Sequence, residues 1–143
     1  MEAYKKLIEV TNKVKGMSEA GLSYNETEAL KFLKQEADSL GKLAEEVNTS
    51  LSSNDTKGAL ISLVKFVARV NLLGNLLLQP AVISSLGNQT IRQSLASLIE
   101  SCISFALESY LEVAKKKGDL GLKSINLSLS ANPIAMSLSL GAE

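Results

Sequence analysis

The spacing of apolar residues changes once, near residue 121, and this change constrains the fold more than any other feature of the chain. Before it, apolar residues recur every three or four positions, as on one face of an α-helix. After it, apolar and polar residues alternate, as in a β-strand with one buried face. The sequence therefore predicts one domain of a mainly α class: a four-helix bundle-like core over residues 1–121 and a C-terminal two-stranded β-hairpin over residues 122–143.

The helical part divides into four predicted segments. The second segment opens with a capping box formed by Ser23 and Glu26, the third follows a candidate cap at Asn54 or Asp55, and the fourth follows a candidate cap at Asn88. The first two segments carry one apolar stripe each, and the fourth carries two, which is typical of a helix packed against two neighbours. The predicted helices cover residues 2–16, 24–50, 56–79 and 89–117.

The third predicted helix is apolar on nearly all sides. Its polar positions Ser62, Lys65 and Arg69 share a narrow stripe, so we expect this helix in the middle of the bundle. The stretch 59–78 is also long enough to span a bilayer. Because a charge near the centre of a lipid-exposed helix costs about 2.5–3.5 kcal/mol, a helix buried in protein is favoured over a membrane span.

The C-terminal segment predicts a hairpin with a defined register. A two-residue connection at Asn132-Pro133 places all apolar side chains on one face and a row of serines on the other. Since Pro cannot adopt a positive φ, this connection differs from the usual Asn-Gly turn, and a cis-proline turn or a wider loop remains open. The predicted facing pairs are Ala131 with Ile134, Leu129 with Met136, Leu127 with Leu138, and Ile125 with Leu140.

The composition excludes several kinds of active site. The chain has no His, so it lacks Ser-His-Asp triads, Cys-His dyads and His-ligated zinc. Cys102 is its one cysteine, which excludes an intramolecular disulfide and a thiolate metal cluster. The acidic pair Glu108 and Glu112 is expected to face solvent. We therefore predict a non-enzymatic protein with no catalytic, cofactor-binding or metal-ligating residues and no small-molecule substrate.

Two further features bear on localisation. The N-terminal residues are charged throughout and do not form a signal peptide, so we expect a cytoplasmic protein. Five Asn-x-Ser/Thr tripeptides occur, and we interpret them as helix caps and turns in preference to glycosylation sites, because Asn, Ser and Thr side chains satisfy free backbone N–H groups there.

The hairpin is the predicted interaction surface. An isolated two-stranded hairpin is marginally stable in water, so its apolar face must be covered. No charged residue lies between Lys123 and Glu143, although natural sheet edges are usually protected by charge. A second chain is favoured as the cover over the chain's own bundle, which predicts a subunit that forms a homo-oligomer or binds a protein partner. The candidate interface residues are Ile125, Leu127, Leu129, Ile134, Met136, Leu138 and Leu140.

Nucleic-acid binding is the alternative function. No acidic residue occurs between Asp55 and Glu100, although the chain as a whole has a net charge of zero. In size and helical content the chain resembles small helical subunits of archaeal CRISPR effector complexes, and this resemblance implies a nucleoprotein subunit that contacts nucleic acid weakly. The candidate contact residues are Lys57, Lys65, Arg69, Arg92, Lys115, Lys116 and Lys117.

Overall fold

The computed structural model describes residues 1–76, 78–131 and 134–142, and within them it confirms the predicted helical bundle with a C-terminal hairpin. The turn at Asn132-Pro133 lies outside the described residues. The elements in chain order are α1 (Glu2–Lys15), α2 (Tyr24–Ser52), α3 (Thr56–Leu76), α4 (Pro80–Ser85), α5 (Gln89–Ala114), a 3-10 turn (Lys117–Leu120), β1 (Leu122–Ala131) and β2 (Ile134–Ala142).

Side chains cap α2, α3 and α5 at the positions that the sequence indicated. The Ser23 hydroxyl accepts from the Glu26 N–H at 3.2 Å, and the Ser23 N–H donates to the Glu26 carboxylate at 2.9 Å, which completes the capping box of α2. At α3 the cap is Asp55, whose carboxylate accepts an N–H three residues later at 2.9 Å. Asn88 caps α5 in the same way at 3.1 Å. These bonds satisfy N–H groups that have no partner inside the helix.

The short helix α4 is not predicted by the sequence pattern. The pattern predicts a third helix that runs to residue 79 and stops before Pro80, whereas α3 covers Thr56–Leu76 and Pro80 opens a new helix. Pro suits the first position of a helix, because the N–H that it lacks would have no partner there. At the other end of the bundle, α5 ends at Ala114, three residues before the predicted end at residue 117, and a 3-10 turn follows over Lys117–Leu120.

Four long helices form the core. Helix α1 packs against α2 and α5, and α3 packs against the same two helices from the opposite side. At the centre the Phe66 and Phe105 rings meet edge to face, with centroids 5.0 Å apart, a geometry that aromatic rings prefer. The predicted stripe of α1 (Ala3, Leu7, Val10, Val14 and Met17) and that of α2 (Leu30, Leu33, Ala37, Leu40, Ala44, Val47 and Leu51) are buried except at their last residues, Met17 and Leu51, which are half-buried. Helices α1 and α2 thus bury the stripes that their spacing predicted.

The hairpin packs on the outside of α3 and α5. Strands β1 and β2 are antiparallel, and the predicted register is confirmed in each of its four pairs, from Ile125 with Leu140 to Ala131 with Ile134. An irregularity lies between Leu122 and Ser124, at the start of β1. The register sets which face of the hairpin is apolar, because a shift of one residue would reverse every side chain.

Candidate interaction surface

The bundle covers part of the hairpin's apolar face, along a diagonal that runs from Ile125 on β1 to Met136 on β2. Ile125 and Met136 are 4% and 3% exposed, whereas Leu129 and Leu140 are 45% and 49% exposed. The register places Ile125 opposite Leu140 and Leu129 opposite Met136, so the buried and the exposed residues occupy opposite diagonals. A straight helix that crosses a twisted two-stranded sheet covers one diagonal and leaves the other accessible.

This docking corrects the expectation that another chain covers the apolar face. Ile125 and Met136 belong to the protein's own core, and Leu127 and Leu138 pack against that core while half-buried. The physical reason is that α3 is apolar on its outer side as well, so the bundle has a surface on which the hairpin can dock. The side chain of Ile134 lies outside what the structure describes. Of the predicted interface residues whose side chains the structure describes, Leu129 and Leu140 are the most accessible.

Asn71 of α3 binds the outer edge of β2. Its side-chain amide donates to the Met136 carbonyl at 2.7 Å, and its side-chain carbonyl accepts from the Met136 N–H at 2.7 Å. The N–H and C=O groups of Met136 therefore point away from β1. In an antiparallel ladder alternate residues point inward and outward, so the N–H and C=O groups of Leu138 and Leu140 also point outward. Beyond the hairpin itself, no described residue bonds to the backbone of Leu138 or Leu140.

The edge of β1 is anchored in a comparable way. The Tyr110 hydroxyl of α5 donates to the Ile125 carbonyl at 3.0 Å. Each strand is thus held near its N-terminal end by one side chain from the bundle, Tyr110 for β1 and Asn71 for β2. Among the described residues, side chains replace a neighbouring strand at these two points alone, so the rest of each described edge can accept another strand.

Helix α3 presents an exposed apolar stripe beside β2. Ile61, Val64 and Leu72 are 47%, 44% and 50% exposed, and Ala68 lies on the same side at the spacing of helical turns. This corrects the expectation that α3 lies in the middle of the bundle, since only one side of it faces the other helices. The stripe adjoins the exposed end of β2. We call these residues together the α3–β2 surface: Ile61, Val64, Ala68, Leu72, Leu138 and Leu140.

A groove runs along this surface between the helix and the strand. Its volume is about 380 Å³, and it is lined on one side by Val64 and Ala68 and on the other by Leu138 and Leu140. Residues 56–75 form the one described helix that is long and apolar enough to cross a membrane, and 44% of that stretch is buried inside the protein. A core helix of a globular protein meets the same criterion, so this stretch does not by itself indicate a membrane span.

Both arginines among the candidate nucleic-acid contacts are engaged within the protein. Arg69 donates from two guanidinium nitrogens to the buried carboxylate of Glu36, both at 2.8 Å. Arg92 donates to the Leu86 carbonyl at 2.8 Å. A guanidinium held in a bidentate ion pair is not available to a phosphate, which removes Arg69 from the candidate set.

The seven candidate residues do not form one surface. Lys65 lies midway along α3, and Arg92 lies roughly 35 Å from Lys115 along α5 at 1.5 Å per residue. Four of the candidates lie close together, where α3 begins and α5 ends. Lys116 donates to the Asn54 side chain at 2.9 Å, and this bond links the residues after α5 to those before α3. Lys115 pairs there with Glu112 at 3.0 Å. This lysine cluster consists of Lys57, Lys115, Lys116 and Lys117.

The groups with catalytic chemistry serve structural roles. Cys102 is buried, and its burial raises the pKa of the thiol, which disfavours the reactive thiolate. Glu108 accepts from the Ala3 N–H at 3.1 Å and thus caps the start of α1 from another helix, which corrects the expectation that it simply faces solvent. Among the described residues, no group of three or more His, Cys, Asp or Glu side chains could hold a metal ion.

Comparison of the chain with protein-family models, with curated proteins and with solved structures finds no match. Function must therefore be inferred from the residues of this chain. Asn71 and the outer stripe of α3 were not predicted from the sequence. The available signal was an amide residue within an almost uniformly apolar helix, and an outer helix face that carries Ile61, Val64 and Leu72 besides two lysines.

Proposed function

We propose that the protein is a non-enzymatic assembly subunit that binds another protein chain through the α3–β2 surface. One observation carries the proposal: the exposed stripe of α3 and the exposed end of β2 line the same groove. Large contiguous apolar patches are uncommon on monomeric soluble proteins, and they mark interaction sites. The partner is either a second copy of the chain or a different protein.

The backbone of β2 supports the same proposal. Leu138 and Leu140 offer outward N–H and C=O groups at a sheet edge, and no charged residue occurs in the strand to discourage pairing. An extended segment in the groove would add a strand to the sheet and pack its side chains against Val64 and Ala68. This is the binding mode known as β-augmentation, in which backbone bonds supply affinity and neighbouring pockets supply specificity.

Site-specific photocrosslinking tests the proposal for either kind of partner. Benzoylphenylalanine at Ala68, in the stripe, should form an adduct in the purified protein or in the cells that contain it. The control is the same residue at Gln35, which is exposed on α2 away from the groove. An adduct of twice the chain mass identifies self-association, and another mass identifies a different partner. The proposal is wrong if position 68 gives no adduct, or gives the same adducts as position 35.

The lysine cluster supports a second proposal, a subunit of a nucleoprotein complex that contacts nucleic acid weakly. Four lysines gather at one end of the bundle, but Glu112 and Asp119 lie at the same end and reduce the local positive charge. A gel shift at low salt should then weaken steeply as salt rises, with a smaller slope in Lys116→Glu, because each phosphate contact releases counterions. Binding that is absent at low salt, or unaffected by Lys116→Glu, contradicts this alternative.

A further inference from the structure

Resting on the proposed function, we infer that the partner at the α3–β2 surface is a second copy of this chain. The β2 strands of the two copies pair antiparallel, and the two hairpins become one four-stranded sheet in the order β1, β2, β2, β1. Such a contact uses the same surface of both copies and closes on itself, as a two-fold dimer does.

The backbone sets the register of this pairing. Asn71 occupies the outward groups of Met136, so the open part of the edge begins at Leu138. A two-fold axis at Ser139 places Leu138 of each copy opposite Leu140 of the other. Since the outward N–H and C=O groups of both residues then face each other, four backbone hydrogen bonds form. A second copy is a partner that offers an open edge of the same length with groups at the same spacing.

The stripe of α3 is covered by the same contact. Helix α3 lies beneath β2, so pairing the strands brings the two α3 helices side by side beneath the enlarged sheet. Ile61, Val64, Ala68 and Leu72 span roughly 16 Å of helix axis, and each stripe would pack against its symmetry mate. One contact thus satisfies two features that the isolated chain leaves without a partner, the open strand edge and the apolar helix face.

The charges favour a second copy over a charged partner. The residues that line the groove are all uncharged, so the groove itself offers no counter-charge to a basic or an acidic segment. Lys57 and Lys65 are exposed on the same side of α3 as the stripe, but neither lines the groove, and their long side chains can extend to water. Two copies can therefore approach without burying like charges.

An engineered disulfide tests the register. In the proposed pairing Ser139 of one copy faces Ser139 of the other in a pair without hydrogen bonds, where the Cα atoms are about 4.5 Å apart, a distance that a disulfide can bridge. Ser139→Cys should therefore form an intermolecular disulfide under mild oxidation. Ser137→Cys is the matched control, because its symmetry mate lies four residues along the strand, roughly 13 Å away. Cys102 is buried, so the native chain should give no disulfide dimer.

Light scattering over a range of concentrations completes the test. The native chain should have the mass of a dimer, and Val64→Lys should raise the dissociation constant by roughly 100-fold without changing the helical circular dichroism. If the native chain is a monomer while position 68 crosslinks to a different protein, the second-copy inference is wrong and the proposed function stands. If the chain is a dimer but Ser139→Cys bridges no better than Ser137→Cys, the strand pairing is wrong. A monomer without any crosslink overturns both.

Discussion

Helices α2 and α3 pack against each other, yet their outer surfaces differ in kind. The outward positions of α2 carry charged side chains, among them Lys31, Lys42 and Glu46, whereas those of α3 carry Ile61 and Leu72. The spacing of apolar residues therefore identifies the inner side of α2 but cannot distinguish the two sides of α3. A helix that is apolar all round needs a partner on both sides, and in α3 the hairpin covers part of the outer side.

The sharpest test of this comparison uses two consecutive residues of α3. Leu63 is 1% exposed and Val64 is 44% exposed. Leu63→Asp should unfold the domain, because it buries a carboxylate without a partner at a cost of several kcal/mol. Val64→Asp should change the free energy of unfolding by roughly 1 kcal/mol or less, since its side chain can reach water. Urea denaturation followed by circular dichroism measures both.

Equal losses of stability in the two variants would contradict the assignment of an inner and an outer side to α3. The Val64→Asp measurement should be made at a concentration low enough to keep the protein monomeric. Dimer dissociation would otherwise contribute to the apparent stability.

Much of the fold is predictable from the sequence because it depends on local rules. The capping box at Ser23, the cap at Asn88 and the hairpin register all follow from residues a few positions apart. The contact of Asn71 with Met136 joins residues 65 positions apart, and that of Arg69 with Glu36 joins residues 33 positions apart. Such contacts depend on which helices and strands are neighbours in the fold. The spacing of residues within one segment does not give that information. The candidate surface is defined by the first of these contacts, so it could not be located from the sequence.

The ion pair between α2 and α3 gives the second test. Glu36 is buried and its carboxylate is bound by Arg69 alone among the described side chains. Arg69→Met should destabilise the protein by roughly 3–5 kcal/mol, since it leaves a buried charge without a partner. The double variant Glu36→Leu with Arg69→Met should recover most of that loss, because the neighbouring side chains are apolar. Denaturation of both single variants and the double variant gives the coupling energy directly.

If the double variant is as unstable as Arg69→Met, the ion pair is not the reason for the loss. The destabilisation would then come from lost packing of the arginine stem against α2. Glu36→Leu alone should cost less than Arg69→Met, because Arg69 is more exposed to solvent than Glu36 and its charge can be hydrated.

The third test compares the two anchors of the hairpin. Asn71→Leu removes two hydrogen bonds to Met136 and should cost about 1–3 kcal/mol, because a backbone N–H and C=O lose their partner. Tyr110→Phe removes one hydrogen bond to Ile125 and should cost about 1 kcal/mol. Hydrogen exchange should show faster exchange at Met136 in Asn71→Leu, while the amides of α1 are unchanged. Slow exchange at Met136 in that variant would mean that another group protects this edge.

The smallest expected effect concerns the two caps that meet at Glu26. Its carboxylate accepts from the Ser23 N–H at 2.9 Å and from the Asn88 side-chain amide at 2.8 Å, and Asn88 in turn caps α5. These hydrogen bonds lower the pKa of Glu26 below its ordinary value of 4.5. The bond from the Ser23 N–H makes the largest contribution, and the bond from the Asn88 side chain makes the next largest. A group whose pKa is lowered by folding stabilises the folded state above its unfolded pKa. That contribution is lost as the pH falls through the folded pKa.

The difference in melting temperature between the native chain and Glu26→Gln should therefore be constant above about pH 6 and should shrink as the pH falls below 4.5, the ordinary value for Glu. Asn88→Ser is the informative control, because serine can still cap α5 but cannot donate an amide N–H to Glu26. In that variant the pKa of Glu26, measured by carboxyl NMR titration, should rise toward 4.5 while remaining below it, because Ser23 still donates. An unchanged pKa in Asn88→Ser would show that the caps of α2 and α5 act independently.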